Sequence, residues 1–404
     1  MDSASIPKNV CVIGAGMSGL AAARELRREG LAVTAMEQRG DVGGQWLYDP
    51  TTDAGDPLGI SSAPVTKVHS SMYASVRLIS PRECMGFSDF QYLKDFCAAF
   101  GLEDAVKLNT KVLRVAMAPP PSSEATGGGT PVGYYSDVKW QVRYVRVEQD
   151  GDEGVAVEEV FDAVVIANGH YSQPRLPRIK GGGGGRLRGE RPGHSDGALR
   201  RGQWGPSHGQ VHGGRHDAVT MAPWLSFVGV PMAVFAPWFF EAQARWIALV
   251  LSGRKTLPSP EEMVRAVEED YRAREMAGVP TKHTHFIPAV EPIEAWEFVY
   301  RHSDLPRMED WKVELFVTSF VKNKEEDREA FRDRDDDSES VREGLRRWRR
   351  VAGAQYEAAL AAASGDHADD ADVASSVHNK PAIIAGSMQI PKSERSSGSP
   401  TERK

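Results

Sequence analysis

Residues Asn9 to Glu37, NVCVIGAGMSGLAAARELRREGLAVTAME, constrain the fold more than any other stretch of the chain. The β-branched apolar run Val10 to Ile13 reads as a strand, and it feeds Gly14, Gly16 and Gly19 in the G-x-G-x-x-G spacing. The three glycines have separate roles. Gly14 permits the tight turn, Gly16 lets backbone approach a pyrophosphate, and Gly19 lets helix pack on strand. A helix opening at Met17 points free N–H groups and a positive dipole end at an anion without needing a lysine. Leu20, Leu26 and the alanines at 21 to 23 supply its buried face, and Gly30 ends it. A second strand, Leu31 to Met36, ends at Glu37, where a carboxylate can accept hydrogen bonds from ribose hydroxyls and would repel a 2′-phosphate. The chemistry of this first site therefore favours FAD or NAD over NADP.

A glycine turn between any strand and helix is common, and the second strand with its terminal acid at the expected distance raises this one above that background. The next glycines choose between the two nucleotides. Gly43-Gly44-Gln45-Trp46 follows Glu37 closely, a turn for which a plain NAD domain has no need, so FAD is the expected cofactor.

Three runs carry a family resemblance: VCVIGAGMSGLAAARELRREGLAVTAMEQRGDVGGQW, VHSSMYASVRLISPRECMGFSDF and FDAVVIANGHYSQPRLP. Together they resemble the plant flavin-containing monooxygenases, and within them the branch that S-oxygenates methylthioalkyl glucosinolates and related thioethers. The match runs to about residue 180, resumes near Pro223 and fades after roughly residue 350. The resemblance implies an α/β, Rossmann-like, three-layer FAD-binding fold. It also implies a cofactor-binding set of Gly14, Ala15, Gly16, Met17, Ser18, Gly19, Glu37 and Gln38, then Gly44, Gln45 and Trp46, and finally the turn Asn168-Gly169. NADPH reduces FAD in this family, O₂ adds at the flavin C4a, and the resulting hydroperoxide gives an oxygen to a soft nucleophile, a thioether sulfur or an amine nitrogen. No catalytic residue is assigned: the family has an asparagine before the Pro81-Arg82 pair, and Ile79 stands at the equivalent position. The family also has further residues between the equivalents of Phe90 and Gln91, a histidine and a glutamate among them, that are missing here.

A second strand, glycine turn and helix for NADPH should follow residue 180. Residues 181 to 222 instead run GGGGGRLRGERPGHSDGALRRGQWGPSHGQVHGGRHDAVTMA, with neither an apolar strand nor a helical period. This composition reads as a disordered linker standing where the NADPH domain belongs. His208, His212 and His216 are four apart, but the glycines between them argue against the helix that would gather them on one face as metal ligands. An RNA-binding reading fails for want of repeated RGG units and stacking aromatics.

The division expected is an N-terminal part of the FAD domain over 5–180, the linker over 181–222, a C-terminal part over 223–350 that completes the FAD domain, and a largely disordered tail over 351–404. Within the C-terminal part, Trp224 to Phe240 is apolar and close to spanning length, yet Pro231 and Pro237 interrupt it. It reads as a strand, Leu225 to Val230, and a helix from about Phe239 to Leu251. Ser259, Pro260 and Glu262 mark a further helix start by N-cap, N1 proline and capping-box acid. Gln91 to Phe100 reads as an amphipathic helix, and Thr110–Val115, Lys139–Val147 and Phe161–Ala167 read as strands, the first two separated by a proline- and glycine-rich loop.

The net charge of −7 exerts no pull toward nucleic acid. Three cysteines without C-x-x-C spacing indicate neither a disulfide framework nor a zinc site. With no signal-like leader, the expectation is a cytoplasmic protein without a membrane span and without a metal. His170, His283 and His285 read as structural. Three functions stay open: a FAD- and NADPH-dependent monooxygenase, a truncated and catalytically incompetent FAD binder arising from splicing or gene-model error, and a FAD-dependent oxidase or dehydrogenase with another electron donor.

Overall fold

The computed structural model describes residues 9–50, 72–78, 80–90, 93–119, 138–148, 151–169, 224–232, 234–280, 285, 300–319 and 338–365. Ile79, His170, the three histidines of the 181–222 segment, His283 and most of the proline- and glycine-rich loop lie outside these residues.

The chain begins with β1 (Asn9–Ile13), α1 (Met17–Arg28) and β2 (Ala32–Met36). These form a parallel unit in which Asn9 pairs with Ala32 and Ile13 with Met36. Alternation along β1 sorts its side chains between two cores, because successive residues of a strand point to opposite faces. Val10 and Val12 join the core beneath α1, while Cys11 and Ile13 face the other side. Strand β7 (Ala163–Ile166) repeats this beside β1, with Ala163 and Val165 on the helix side and Val164 and Ile166 opposite.

The side away from the helices is covered by an antiparallel meander, β4 (Thr110–Met117), β5 (Trp140–Arg146) and β6 (Val157–Phe161). Trp140, Val142 and Phe161 of this meander pack on Cys11, Met36 and Val164. The expected single strand Phe161–Ala167 is thus two strands in two sheets. Asp162 makes the crossing: its carboxylate accepts from Asn9 N–H at 2.8 Å and its own N–H donates to Asn9 O at 2.9 Å.

The parallel sheet has the order β3-β2-β1-β7-β8, with β3 at Val106–Lys107 and β8 at Leu225–Phe227. Its last strand comes from beyond the 181–222 segment, so the sheet is completed by chain that returns. Helix α2 (Leu93–Ala99) brings Phe96 into the core, and α3 (Ala236–Leu251) packs along α1. The helix expected from Phe239 starts three residues earlier, with Pro237 in its first turn, where a missing N–H costs nothing. The preceding strand is shorter than expected and ends at Phe227, because Gly229 takes φ +90° and turns the chain toward α3.

Helix α4 (Pro260–Met276) carries the expected capping box: Glu262 N–H donates to Ser259 Oγ at 3.2 Å and Ser259 N–H to Glu262 Oε2 at 2.8 Å. Helices α5 (Asp310–Phe316) and α6 (Glu339–Gly365) pack through Trp311, Leu315 and Val341. Helix α6 continues past residue 350, where the sequence reading begins its tail. Meander, parallel sheet and helices make the three-layer Rossmann-like fold of an FAD-binding domain. Among the described residues there is one parallel sheet, and no helix is long and apolar enough to cross a membrane.

Candidate functional site

The site is assembled at the carboxyl ends of β1, β2 and β7, where open α/β sheets place their ligands. Gly14 follows β1 with φ +99°, its N–H donating to Met36 O at 2.8 Å. A Cβ on Gly14 would stand 2.6 Å from Ala167 O and 3.2 Å from Asn168 Cα, so this turn and the Asn168-Gly169 turn are in direct contact. Gly19 sits against the same turn from within the helix: a Cβ there would overlap the Gly14 carbonyl, with the carbonyl carbon at 2.8 Å.

Gly16 caps α1 without a side chain to satisfy the helix's first amides, and no acidic residue occupies the first turn. Those N–H groups have no intrahelical acceptor. Gly14, Gly16 and Ser18 are partly exposed, whereas Ala15, Met17 and Gly19 are buried. The second glycine turn closes on the first. Gly43 N–H donates to Ala15 O at 2.9 Å, and a Cβ on Gly44 would stand 2.9 Å from Gly16 Cα. Gly44–Trp46 form a single helical turn in which the indole Nε1 of Trp46 is buried without a protein partner.

Glu37 is buried at the end of β2 and does more than its position in the sequence implies. Its Oε2 accepts from Ala15 N–H at 2.8 Å and its Oε1 from Arg39 N–H at 3.0 Å. Each carboxylate oxygen accepts two hydrogen bonds, so capacity for a ribose hydroxyl remains. Gln38 and Gln45 are exposed. The structure therefore gathers Gly14 to Gly19, Glu37, Gly44, Trp46 and Asn168-Gly169 around one edge. Ile79 lies outside the described residues.

Gly229 was not among the residues the sequence singled out, yet a Cβ on it would stand 2.5 Å from Ser18 Oγ. Its only signal is a glycine directly after an apolar strand. Burial pushes the Cys11 thiol up to about 12, with Glu159 adding to it, and the Cys84 thiol up to about 12, with Glu83 adding to it. Cys97 is raised to about 11, again by burial first and then by Glu103, Asp104 and Asp41. Thiols held this far from ionisation are poor nucleophiles and poor metal ligands. Among the described residues no group of side chains could hold a metal ion.

Residues 7–195 match the model of the flavin-binding monooxygenase-like family. Flavin-containing monooxygenase FMO GS-OX-like 9 of Arabidopsis thaliana is 34% identical over 469 residues, covering 85% of this chain and 96% of the relative. The chain belongs to the flavin-dependent monooxygenase family. A second Arabidopsis monooxygenase, FMO GS-OX-like 8, is 32% identical over 459 residues, covering 84% of this chain and 94% of its own length. Among solved structures, the S-allyl-L-cysteine S-oxygenase of Allium sativum superposes with a TM-score of 0.64 at 26% identity, covering 85% of this chain and 98% of that one.

Proposed function

We propose that this monooxygenase-family chain holds FAD in the Gly14–Gly19 and Gly43–Trp46 cradle, and that the 181–222 segment leaves it without the NADPH half of the family's reaction. The cofactor reading is carried by the contact between Gly16 and Gly44, 2.9 Å for an added Cβ, which keeps two backbones bare where a pyrophosphate must approach. The uncapped amides of α1 and the unpartnered Trp46 Nε1 support it, since both are donors awaiting an acceptor. Bound there, FAD supplies the redox and oxygen chemistry of the family. The chain's own residues act by position. The first amides of α1 and the Gly44 turn take the phosphates, Glu37 takes a ribose while bracing the turn through Ala15, and Asn168-Gly169 borders the same edge.

The substrate class proposed is a soft nucleophile, a thioether sulfur or an amine nitrogen, oxygenated with O₂. A thioether sulfur carries its lone pair without prior proton removal, and an amine nitrogen reacts from its unprotonated form, so neither needs a catalytic triad to make it a nucleophile. The S-oxygenase from Allium acts on a thioether, which favours sulfur. The loss of the NADPH half is supported by length. Alignments of 469 and 459 residues against a chain of 404 close only across positions that the relatives have and this chain lacks. The described residues also hold one glycine-turn βαβ unit and one parallel sheet.

An absorbance spectrum of the purified chain, before and after anaerobic addition of NADPH, tests both parts. The expected result is an oxidised-flavin band that NADPH does not bleach. Bleaching would overturn the claim of a lost nicotinamide site, and a chain without the band after incubation with FAD would overturn the cofactor assignment.

A further inference from the structure

Helix α1, whose first turn faces the cradle, is gripped at two levels by chain that returns after residue 224. Near its start Gly229 lies against Ser18, and Gly229 is itself held by an N–H donated to Gln243 Oε1 at 3.1 Å. Two turns further on, Arg24 is 4% exposed and forks into three carboxylates. Its Nε donates to Glu25 Oε1 at 2.9 Å, its Nη1 to Asp89 Oδ1 at 2.7 Å and its Nη2 to Glu241 Oε1. The guanidinium carbon stands 4.7 Å from the centroid of Phe100 and 4.9 Å from that of Phe96.

Glu241, in α3, is fully buried and takes two further donors. Ser88 gives its N–H to Oε2 at 2.7 Å and its hydroxyl to Oε1 at 2.8 Å. One carboxylate thus joins α1, α3 and the loop 80–90. We propose that Glu241 is a positioning residue for FAD: through Arg24 and Ser88 it fixes where the first turn of α1 stands against the Gly43-Gly44 turn. The chain after residue 224 then sets the cofactor affinity of the chain before residue 169. This inference rests on the FAD reading above.

The cradle's tolerance is the physical reason. Gly16 and Gly44 meet backbone to backbone, at 3.4 Å and 2.9 Å for a Cβ added to either, with no side chain that could turn to absorb a shift. A displacement of α1 by a few tenths of an ångström changes the opening that must fit a pyrophosphate. A carboxylate is needed at 241 because both of its oxygens accept. Glutamine accepts with one and points an NH₂ group at a donor, either Ser88 N–H or Arg24 Nη2. Arg24 would then settle on Asp89, which lies toward solvent, and draw α1 with it.

The test is FAD titration of the full chain, by quenching of flavin fluorescence below the melting temperature, for wild type, Glu241→Gln and Arg245→Ala. Arg245 also joins α3 to α1, chiefly at the far end, where it donates to the C-cap residue Glu29 at 2.6 Å, with only a long 3.5 Å contact to Glu25 Oε2 on the side away from Arg24 Nε. Glu241→Gln is expected to weaken FAD on the order of tenfold, the scale of one lost hydrogen bond to a charged group. Arg245→Ala is expected to lower the apoprotein melting temperature while leaving the FAD dissociation constant within about twofold, a difference worth little free energy. Equal loss of affinity in both variants would reduce Glu241 to general stability and overturn the inference, as would a folded Glu241→Gln chain with wild-type affinity. Wild type that binds no FAD overturns the cofactor reading and this inference together, whereas wild-type binding with an unaffected variant overturns this inference alone.

Discussion

Replacing Gly19 by alanine separates what a helix prefers from what this helix must touch. In an open helical site alanine is favoured over glycine by about 1 kcal/mol, because glycine loses more backbone freedom on folding. Gly19 lies in the first turn of α1, and an added methyl would overlap the carbonyl oxygen of Gly14, with the carbonyl carbon only 2.8 Å away. That carbonyl belongs to a turn held by Gly14 N–H to Met36 O, so it cannot rotate aside. Overpacking costs about 1–3 kcal/mol, and an obstacle made of backbone places this site at the upper end. Set against the propensity gain, the net loss is about 2 kcal/mol. With a urea slope of about 2 kcal/mol per molar, the unfolding midpoint falls by about 1 M. The comparison is Gly353→Ala in α6, where a Cβ meets nothing within 4 Å. There the midpoint should rise by a few tenths of a molar, following propensity alone. Both are read from urea melts followed by far-ultraviolet circular dichroism. A Gly19→Ala chain as stable as wild type would refute the claim that contact with Gly14 dictates glycine.

Three further outcomes are expected. Glu37→Gln keeps one acceptor oxygen but turns an amide NH₂ toward either Ala15 N–H or Arg39 N–H, so FAD affinity should fall on the order of tenfold in a fluorescence titration. Gly344→Ala places a methyl into the Trp311 indole, 2.7 Å from Cε2, and should cost about 1–3 kcal/mol in urea melts; an unchanged midpoint would mean that α5 and α6 separate freely. Glu29 sets a pH dependence. Burial pushes its carboxyl up, but hydrogen bonds from Arg245 and Arg254, the charge of Arg245 and the Ser252 hydroxyl outweigh it and hold the group below its ordinary 4.5. A depressed carboxylate stabilises the fold above its unfolded pKa, and the contribution is lost as pH falls through the folded value. The melting-temperature gap between wild type and Glu29→Gln should therefore be widest near neutral pH and close as the pH falls below the ordinary 4.5 and through the lower folded value. A gap that stays constant would remove Glu29 from the acid-sensitive part of the fold.

The β1–α1–β2 unit was legible in the sequence because its contacts are local. Three glycines, an apolar run on either side of a 12-residue helix and a terminal acid each report their own backbone requirement. The capping box at Ser259 was legible for the same reason, since its partners lie three residues apart. Wherever the deciding contact joins distant positions, the sequence was silent. Asp162 divides one apolar run between two sheets by bonding to Asn9, and the only mark of the break within Phe161–Ala167 is that lone charge, whose partner lies 153 residues away.

Glu241 reads along the chain as a charge closing an apolar segment, and becomes a buried acceptor only when α3 lies on α1. Glu37 showed its place in the sequence, whereas its hold on Ala15 appears only once β1 and β2 are paired. The sequence by itself determined the nucleotide turn, the β1–α1–β2 unit around it and the family, because these rest on backbone conformation and side-chain period. Tertiary structure alone decided that Leu225–Phe227 pairs with β7 as the last strand and that α3 grips α1, because strand pairing and a buried ion network have no meaning until folding removes their members from water.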